Sequence, residues 1–271
     1  MSKLKSFGKD FMTKFQEDNI PLLAAAQAHY YLLSIIPLLI VGFAIIPYLN
    51  IDPNQAVNFM SNALPEGLAG VMEQNIISLV ETPRGGLLTI GIIAALWSAS
   101  AGINAFIKST NEAYDVEETR NFVVVRLIAL GLTISMIFAI VVAILLPVLG
   151  NVFLEYITNF LGLTGAMSFL LQILRWTISI VVLTGILLLL YRFAPNKKLP
   201  FKHIIPGALI ASILWQLISL GFSFYISNFG SYDETYGSLA GIIILMIWFF
   251  LTGMALMIGA VINALYHQKN S

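Results

Sequence analysis

The sequence predicts an all-α membrane protein with six transmembrane helices in one bundle. Of its 271 residues, 58% are hydrophobic and 10% are charged, whereas soluble domains average about 25% charged residues. The apolar residues gather in long runs, and a run of more than about 18 residues without charge is long enough to cross a bilayer. Residues 242–266 form one such run. We therefore expect a polytopic helix bundle instead of a soluble core.

Five further runs share this length and low charge, so the sequence predicts six spans. The predicted spans are residues 22–46, 87–107, 122–149, 166–190, 204–226 and 238–266. Pro37 lies inside the first span, where its missing backbone N–H predicts a kink. The second span is rich in glycine, alanine and serine. Such small residues let helices approach closely in lipid, so we expect tight packing there.

Two segments outside the spans have amphipathic patterns. Near the N-terminus, Phe7, Phe11 and Phe15 recur every four residues with lysines between them, which predicts a helix lying at the membrane surface. A solvated basic tail is the alternative, because acidic residues dilute the positive charge. The segment 47–86 is too polar to cross the bilayer and predicts short amphipathic helices, separated by Pro65, on the outer membrane surface.

The distribution of lysine and arginine predicts that both ends of the chain lie in the cytoplasm. Segments assigned to the inner side carry 12 of these residues, against Arg84 on the outer side and Arg175 within a span. Acidic residues divide evenly, so the asymmetry lies in the positive charges. The predicted organisation is a cytoplasmic surface helix at 1–21, a membrane domain at 22–266 and a cytoplasmic tail at 267–271.

Several polar side chains lie within or beside the spans, where lipid offers no hydrogen-bond partners. They are the candidates for a polar pathway through the bundle: His29, Tyr30, Ser34, Asn104, Lys108, Arg175, Tyr236 and Asn263. For Arg175, snorkelling to the headgroups or pairing with an acidic residue is the alternative to a substrate contact. For Asn104 and Lys108, the alternative is a solvated helix end.

Other positions are candidates for close packing or hinge motion, because glycine admits a neighbouring helix and proline interrupts backbone hydrogen bonding. These positions are Pro37, Gly102, Pro206, Gly237 and Gly259. In the last span, Gly259, Asn263 and His267 follow one another every four residues and so share one helix face. That face offers small residues to another helix and becomes polar near its end.

The sequence has none of the motifs of common enzyme classes. It contains no cysteine, and its three histidines lie in separate segments without the spacing of a zinc site, so a spatial cluster of the three is the less favoured alternative. It has neither a phosphate-binding glycine loop nor a serine nucleophile elbow, and no predicted span contains a carboxylate. We therefore predict a protein without enzymatic activity, metal or cofactor. Its net charge of zero gives no general attraction to nucleic acid.

A set of short segments spread along the chain matches the pattern of one known family. The segments are Tyr30-Tyr31 with Ser34 and Pro37, Leu96-Trp97-Ser98-Ala99-Ser100, Asn111-Glu112-Ala113-Tyr114 with Arg120, Pro206-Gly207-Ala208, Phe229-Gly230-Ser231-Tyr232, Tyr236-Gly237-Ser238-Leu239-Ala240 with Trp248, and Gly259-Ala260 with Asn263-Ala264. Through them the chain resembles the YihY/BrkB family of bacterial inner-membrane proteins over nearly its whole length. The family commonly has an acidic residue after the last Gly-Ala pair, where this chain has Val261. No role of that carboxylate carries over.

The resemblance implies a six-helix protein of the bacterial inner membrane, in a family historically given a ribonuclease BN label and associated with virulence. The ribonuclease label does not suit this sequence, because such an enzyme calls for clustered metal ligands and a basic nucleic-acid face. We expect a transporter or exporter of a lipid or small envelope-related solute. The alternative is a structural or partner-binding membrane protein that docks through residues 47–86. The lipid bilayer is the expected partner, nucleic acid is not, and homo-oligomerisation stays open.

Overall fold

The computed structural model of the chain describes residues 2–45, 85–137, 166–229 and 240–270. Within these residues, all regular secondary structure is helical. The seven helices are α1 (Ser2–Glu17), α2 (Ile20–Ile45), α3 (Gly85–Ala113), α4 (Phe122–Ile137), α5 (Ala166–Phe193), α6 (Phe201–Phe229) and α7 (Ala240–Asn270). The prediction of an all-α protein is confirmed for the described part of the chain.

Five of the described helices are long and apolar enough to cross a membrane. The qualifying segments are Ile20–Pro37, Leu88–Ala113, Trp176–Phe193, Phe201–Ile226 and Ala240–Asn270. The remaining predicted span, residues 122–149, is described only as far as Ile137, where it forms the shorter apolar helix α4. The chain is thus a multi-pass membrane protein, and its described part is all-helical. The count of six spans stays a prediction.

Helix boundaries differ from the predicted segments by a few residues, most at the end of α3, which continues to Ala113 beyond the predicted limit at 107. The N-terminal amphipathic segment forms α1, and Asn19, with a φ of 49°, separates it from α2. Asparagine tolerates this left-handed conformation better than most residues, so it suits the end of a helix. At the other end, α7 continues through the predicted tail as far as Asn270. The predicted amphipathic helices within 47–86 lie outside the described residues, apart from the first residues of α3.

The chain divides into two compact units that draw on different parts of the sequence. The first unit comprises Met1–Asp18, Ile107–Leu214 and Ala255–Ser271, and the second comprises Asn19–Phe106 and Trp215–Met254. Helices α1, α4 and α5 belong to the first unit, and α2 belongs to the second. Helices α3, α6 and α7 contribute residues to both, so each unit is built from several separate stretches of chain.

The core of the first unit contains a close contact between α6 and α7. A Cβ atom built on Gly259 would lie 2.7 Å from the Gly207 carbonyl oxygen and 2.8 Å from the Cβ of Ala211. A Cβ atom on Gly207 would meet the Gly259 carbonyl oxygen in turn. The two backbones therefore touch, as small residues allow in membrane helices. Pro206, immediately before this contact, lies inside α6.

The second unit packs rings and small residues against one another. A Cβ atom on Gly102 would lie 2.8 Å from the ring of Tyr31, so the small residue makes room for that ring. The Tyr31 ring in turn lies 5.7 Å from the ring of Phe249, between centroids. Gly102 is one of the predicted packing or hinge positions, and that role stays a prediction. Pro37 lies inside α2 and is half-buried.

Candidate functional site

Asn263 is a fully buried polar residue of α7, with 0% of its surface exposed. Its Oδ1 accepts a hydrogen bond from the backbone N–H of Gly207 on α6, with 2.8 Å between the two atoms. The residue before Gly207 is Pro206, which has no backbone N–H, so regular helical hydrogen bonding is already interrupted here. The Asn263 side chain therefore joins α7 to the irregular point of α6.

The hydroxyl group of Tyr114 lies beside the Asn263 side-chain amide. Burial raises the pKa of Tyr114, which follows the last residue of α3, well above its usual value, and the neighbouring Asn263 amide opposes that rise. Neither the Tyr114 hydroxyl nor Asn263 Nδ2 completes a well-aligned hydrogen bond with any described residue. A buried polar group without a partner costs about 1–3 kcal/mol. These two groups form a small polar site inside an apolar helix contact.

A third helix is tied to the same part of α7 by Tyr191 of α5. This tyrosine is 0% exposed, and its hydroxyl donates a hydrogen bond to the backbone carbonyl of Leu256, with 2.6 Å between the oxygens. A Cβ atom on Gly259 would meet the same hydroxyl. Residues of α5, α6, α7 and the end of α3 thus converge between Leu256 and Asn263. We refer to Tyr114, Tyr191, Gly207, Gly259 and Asn263 as the Asn263 site.

Two histidines form a direct pair at the ends of α6 and α7. The Nδ1 atoms of His203 and His267 are 2.8 Å apart, and the ring of Tyr266 packs edge-on against His203 with 5.8 Å between centroids. One ring must donate and the other must accept, so the pair requires at least one neutral imidazole. In the described part of the chain, no group of three or more His, Asp or Glu residues is placed to hold a metal ion. Sequence spacing gave no signal for this pair, because the two residues are 64 positions apart.

A polar network connects the segment after α3 to the loop after α5. Glu118 accepts hydrogen bonds from Arg120 Nη2 at 2.6 Å and from Asn111 Nδ2 at 2.8 Å. Arg120 also donates to the Ala194 carbonyl at 2.9 Å, and the Asn196 backbone N–H donates to Asn111 Oδ1 at 2.7 Å. Hydrogen bonding from Arg120 holds the pKa of Glu118 below its usual value. Asn111 and Arg120 belong to a segment that carries the family resemblance.

The amphipathic helix α1 is attached to the rest of the first unit by ion pairs. Lys14 Nζ lies 2.9 Å from Asp115 Oδ1 and 3.2 Å from Asp18 Oδ2, and Lys269 Nζ lies 2.7 Å from Asp10 Oδ2. Burial disfavours the charged form of Lys14, but its hydrogen bonds to Asp115 and Asp18 outweigh this effect and raise its pKa. The positive charge of Lys14 on α1 is therefore paired with carboxylates of the protein itself.

On α2, two of the three predicted pathway residues, His29 and Tyr30, are exposed. Gln27 is 0% exposed, whereas Tyr30 is 41% exposed and His29 is exposed as well. Tyr30 was expected to point inward, but the structure exposes it. Gln27 and Tyr31 occupy the inner face of α2. Because consecutive helix residues point about 100° apart, Tyr30 is turned away from the face that Tyr31 occupies. Ser34 is half-buried and donates to the Tyr31 carbonyl at 2.6 Å.

The remaining predicted site residues are also spread over different surroundings. Asn104 is half-buried on α3, and Lys108, one turn later, is exposed. Tyr236, Gly237 and the side chain of Arg175 lie outside the described residues. The structure thus gathers partners around Asn263 and Gly259, two predicted positions, together with Tyr114 and Tyr191, which the sequence had not singled out as a site. The pathway as a whole stays a prediction.

Comparison with known proteins agrees with the family resemblance. A family described as virulence factor BrkB matches residues 11–271. A Bacillus subtilis protein named as a ribonuclease-like protein, YfkH, is 40% identical over 264 residues, covering 97% of this chain and 96% of that protein. UPF0761 membrane proteins of Tolumonas auensis and Pseudoalteromonas translucida are each 28% identical, over 96% of this chain and 85% of theirs. No solved structure matches the chain.

These matches account for the chain as a whole. The family match begins within α1, at residue 11, and continues through α7, so it includes all residues of the Asn263 site and of the polar network. The relatives from Tolumonas and Pseudoalteromonas are described as membrane proteins, in agreement with the five apolar helices. The chain belongs to the BrkB/YihY family of integral membrane proteins.

Proposed function

We propose that the protein is a transporter or exporter of a lipid or small envelope-related solute, and that the Asn263 site is its moving part. The observation that carries the proposal is a fully buried asparagine whose Nδ2 finds no aligned partner among the described residues. Polar groups inside membrane helices are costly, and they commonly mark substrate or ion pathways. A carrier uses such groups without needing a catalytic acid or base.

The contact between α6 and α7 suits two alternative arrangements. In the observed one, Asn263 Oδ1 holds the Gly207 N–H, while Gly207 and Gly259 bring the backbones together. Pro206 has already interrupted the hydrogen bonding of α6, so a shift of this helix against α7 breaks no further backbone hydrogen bond of α6 at that residue. Separation of the two helices would expose Asn263 and the Tyr114 hydroxyl to a passing polar group.

Proteoliposomes containing the purified full-length chain test this proposal. Fluorescent phospholipids in both leaflets are quenched from outside, and small solutes trapped inside are followed in parallel under imposed pH and ion gradients. We expect movement of at least one probe. Because Asn263→Ala removes a contact that accounts for about 1–2 kcal/mol, it should slow that movement roughly tenfold.

The matched control is Asn270→Ala on the same helix, where the amide is exposed and bonds only to the Tyr266 carbonyl among the described residues. This variant should move the probe at the rate of the unaltered protein. Failure of the folded protein to move any lipid or solute would remove the proposal. The structural or partner-binding alternative would then be favoured.

We also propose that the protein lies in the bacterial plasma membrane with both ends in the cytoplasm, as its lysine and arginine distribution supports. The chain contains no cysteine, so single cysteines give clean labels. A cysteine within 47–86 should react with a membrane-impermeant maleimide from outside intact spheroplasts. A cysteine within 191–203 should react only after the membrane is opened, and labelling of both from the same side would refute this orientation.

We further propose that the protein is not an enzyme. The ribonuclease-like name belongs to the Bacillus subtilis relative, and the Asn263 site of this chain offers amide, phenol and backbone groups instead of metal ligands. The purified protein, incubated with labelled RNA and Mg²⁺ or Mn²⁺, should leave the RNA intact. Cleavage that co-purifies with the protein and is lost in a site variant would contradict the proposal.

A further inference from the structure

The loop between α5 and α6 is held in a fixed conformation by its neighbours in the first unit. The Ala194 carbonyl accepts a hydrogen bond from Arg120, and the Asn196 side chain donates to the Glu117 carbonyl at 2.9 Å. Ala194 is 0% and Leu199 is 1% exposed, so the apolar residues of the loop are packed inward. The loop backbone is therefore part of the folded core and requires little ordering before it binds anything.

Arg192 adds further contacts that hold the loop in this conformation. Its guanidinium group donates a hydrogen bond to the Leu199 carbonyl, and its central carbon lies 5.3 Å from the centroid of the Phe201 ring. The arginine thus bridges the start and the end of the loop. The charge of Arg192 therefore stabilises the conformation of the loop. The remaining cations of the loop face outward.

Three lysines of the loop carry charges that the structure leaves unpaired. Lys197, Lys198 and Lys202 are exposed, and none of their side-chain ammonium groups has a hydrogen bond or ion pair with the residues that the structure describes. The neighbouring carboxylate of Glu118 is already bound by Arg120, and no ion pair joins Glu117 to these lysines. The loop therefore presents three positive charges that have no acidic partner among the described residues.

Two exposed aromatic rings flank these lysines. Phe193, the last residue of α5, and Phe201, the first residue of α6, are each 52% exposed. Both helices are apolar enough to span the membrane, so the ends at which they meet the loop fall near the headgroup layer. Aromatic residues at this level contact the boundary between headgroups and acyl chains, which places the lysines at the height of the phosphates.

We propose that residues 192–202 form a binding site for the headgroups of anionic phospholipids. The phosphate would be held by Lys197, Lys198 and Lys202, and the adjoining acyl chains would lie against Phe193 and Phe201. Positive residues next to spanning helices attract anionic lipid. The fixed loop backbone adds to the affinity, because little conformational freedom is lost on binding. Lipid is the occupant that uses both the charges and the rings.

Native mass spectrometry of the full-length protein with added phosphatidylglycerol or phosphatidylcholine tests this site. We expect phosphatidylglycerol to remain bound preferentially. The variant Lys197→Gln/Lys198→Gln/Lys202→Gln should bind it about tenfold more weakly, an effect below the sum for three lysines because exposed charges are screened. The control Lys197→Arg/Lys198→Arg/Lys202→Arg keeps the three positive charges of the loop and should retain the unaltered affinity.

Equal weakening in both triple variants would overturn the proposal, because binding would then not depend on the positive charges of the loop. Equal binding of phosphatidylcholine, or unchanged binding by the loop variant, would overturn it as well. Glycerol phosphate should not compete at concentrations that far exceed the lipid, and efficient competition would assign the lysines to a soluble anion. Binding is measured without transport, so this result stands apart from the transport assay. Matched melting temperatures of the two variants show that both are folded.

Discussion

The two units of the chain hold their helices together by different kinds of contact. In the first unit, polar groups meet across helices, as where the Asn263 side chain accepts a hydrogen bond from the Gly207 backbone. In the second unit, aromatic rings and small residues meet, as where Trp215 packs against Trp248 with 6.0 Å between ring centroids. Hydrogen bonds depend on exact position and protonation, whereas ring packing depends mainly on volume. The units should therefore respond differently to the same type of substitution.

Two buried amides show the difference directly. Gln27 in the second unit and Asn263 in the first are both 0% exposed, and neither amide nitrogen has an aligned partner among the described residues. Gln27 Oε1 accepts from the Tyr31 hydroxyl on its own helix at 3.3 Å, whereas Asn263 Oδ1 accepts from another helix at 2.8 Å. The first bond orders a side chain, and the second fixes the position of one helix against another.

Gly207→Ala is the substitution with the largest expected effect on this comparison. The added Cβ would meet the Gly259 carbonyl oxygen and the Asn263 side chain. A backbone carbonyl cannot swing away, so α6 and α7 must move apart and the Asn263 hydrogen bond is lost with them. We expect a loss of about 3 kcal/mol in the free energy of unfolding, measured by thermal and chemical denaturation in detergent.

Glycines elsewhere provide the matched variants. In the second unit, a Cβ on Gly253 would lie 2.9 Å from the Ala24 carbonyl oxygen, so Gly253→Ala should cost less, about 1–2 kcal/mol. Gly185→Ala meets nothing within 4 Å and should be close to neutral. If Gly253→Ala lowered the free energy of unfolding as much as Gly207→Ala, the two units would not differ in their response to an added Cβ atom, and the comparison would fail.

The next largest effect is expected for the two amides. Asn263→Ala leaves the Gly207 N–H without its acceptor in a buried position, and should cost about 1–2 kcal/mol. Gln27→Ala removes a long hydrogen bond and also removes an amide nitrogen without an aligned partner, so the loss should stay below about 1 kcal/mol. Denaturation of both variants under the same conditions gives the difference. A larger loss for Gln27→Ala would reverse the comparison.

The sequence predicted the helices well and their mutual contacts poorly. Long apolar runs determine where helices form in lipid, which is why α2, α3, α6 and α7 agree with predicted spans. The four-residue spacing of Gly259 and Asn263 also identified a face that the structure buries. A helix that is apolar on nearly all sides does not reveal which polar residue turns inward, so Tyr30 was expected to face the bundle, whereas the structure exposes it.

Contacts between residues far apart in the sequence could not be predicted from residue spacing along the chain. His203 and His267, Tyr191 and Leu256, and Asn111 and Asn196 meet because of how the helices pack, and their separations along the chain carry no periodic signal. Arg120 and Asn111 were identified only as part of the family resemblance. Their roles in the polar network became evident from the hydrogen bonds to Glu118.

A smaller effect is expected from pairwise coupling of the two histidines. In a double-mutant cycle of His203→Ala and His267→Ala, the coupling should be about 0.5–1.5 kcal/mol, as for a partly buried hydrogen bond. A cycle with His203→Phe, which keeps a ring but has no nitrogen to donate or accept, should show no such coupling. The corresponding cycle for Trp215 and Trp248 should keep most of its coupling when Trp215→Phe replaces Trp215→Ala. Loss of coupling in both phenylalanine cycles, or in neither, would contradict the assignment of polar contacts to the first unit.

The smallest expected effect is the acid sensitivity of the polar network at Glu118. Because hydrogen bonding from Arg120 lowers the pKa of this carboxyl from its usual 4.5 in the folded protein, the interaction stabilises the fold above that pH. Its contribution is lost as the pH falls through the lowered pKa, and it should be less than about 1 kcal/mol, since the pair is partly exposed. Hydrogen exchange of peptides from 111–121 and 191–199 should therefore accelerate on acidification beyond the intrinsic change, whereas peptides from 20–37 should not.

Glu118→Gln keeps an oxygen that can accept from Asn111 but does not titrate, so exchange in this variant should be faster at neutral pH and lose the additional acid dependence. An unchanged acid response in Glu118→Gln would show that another group of the first unit controls it.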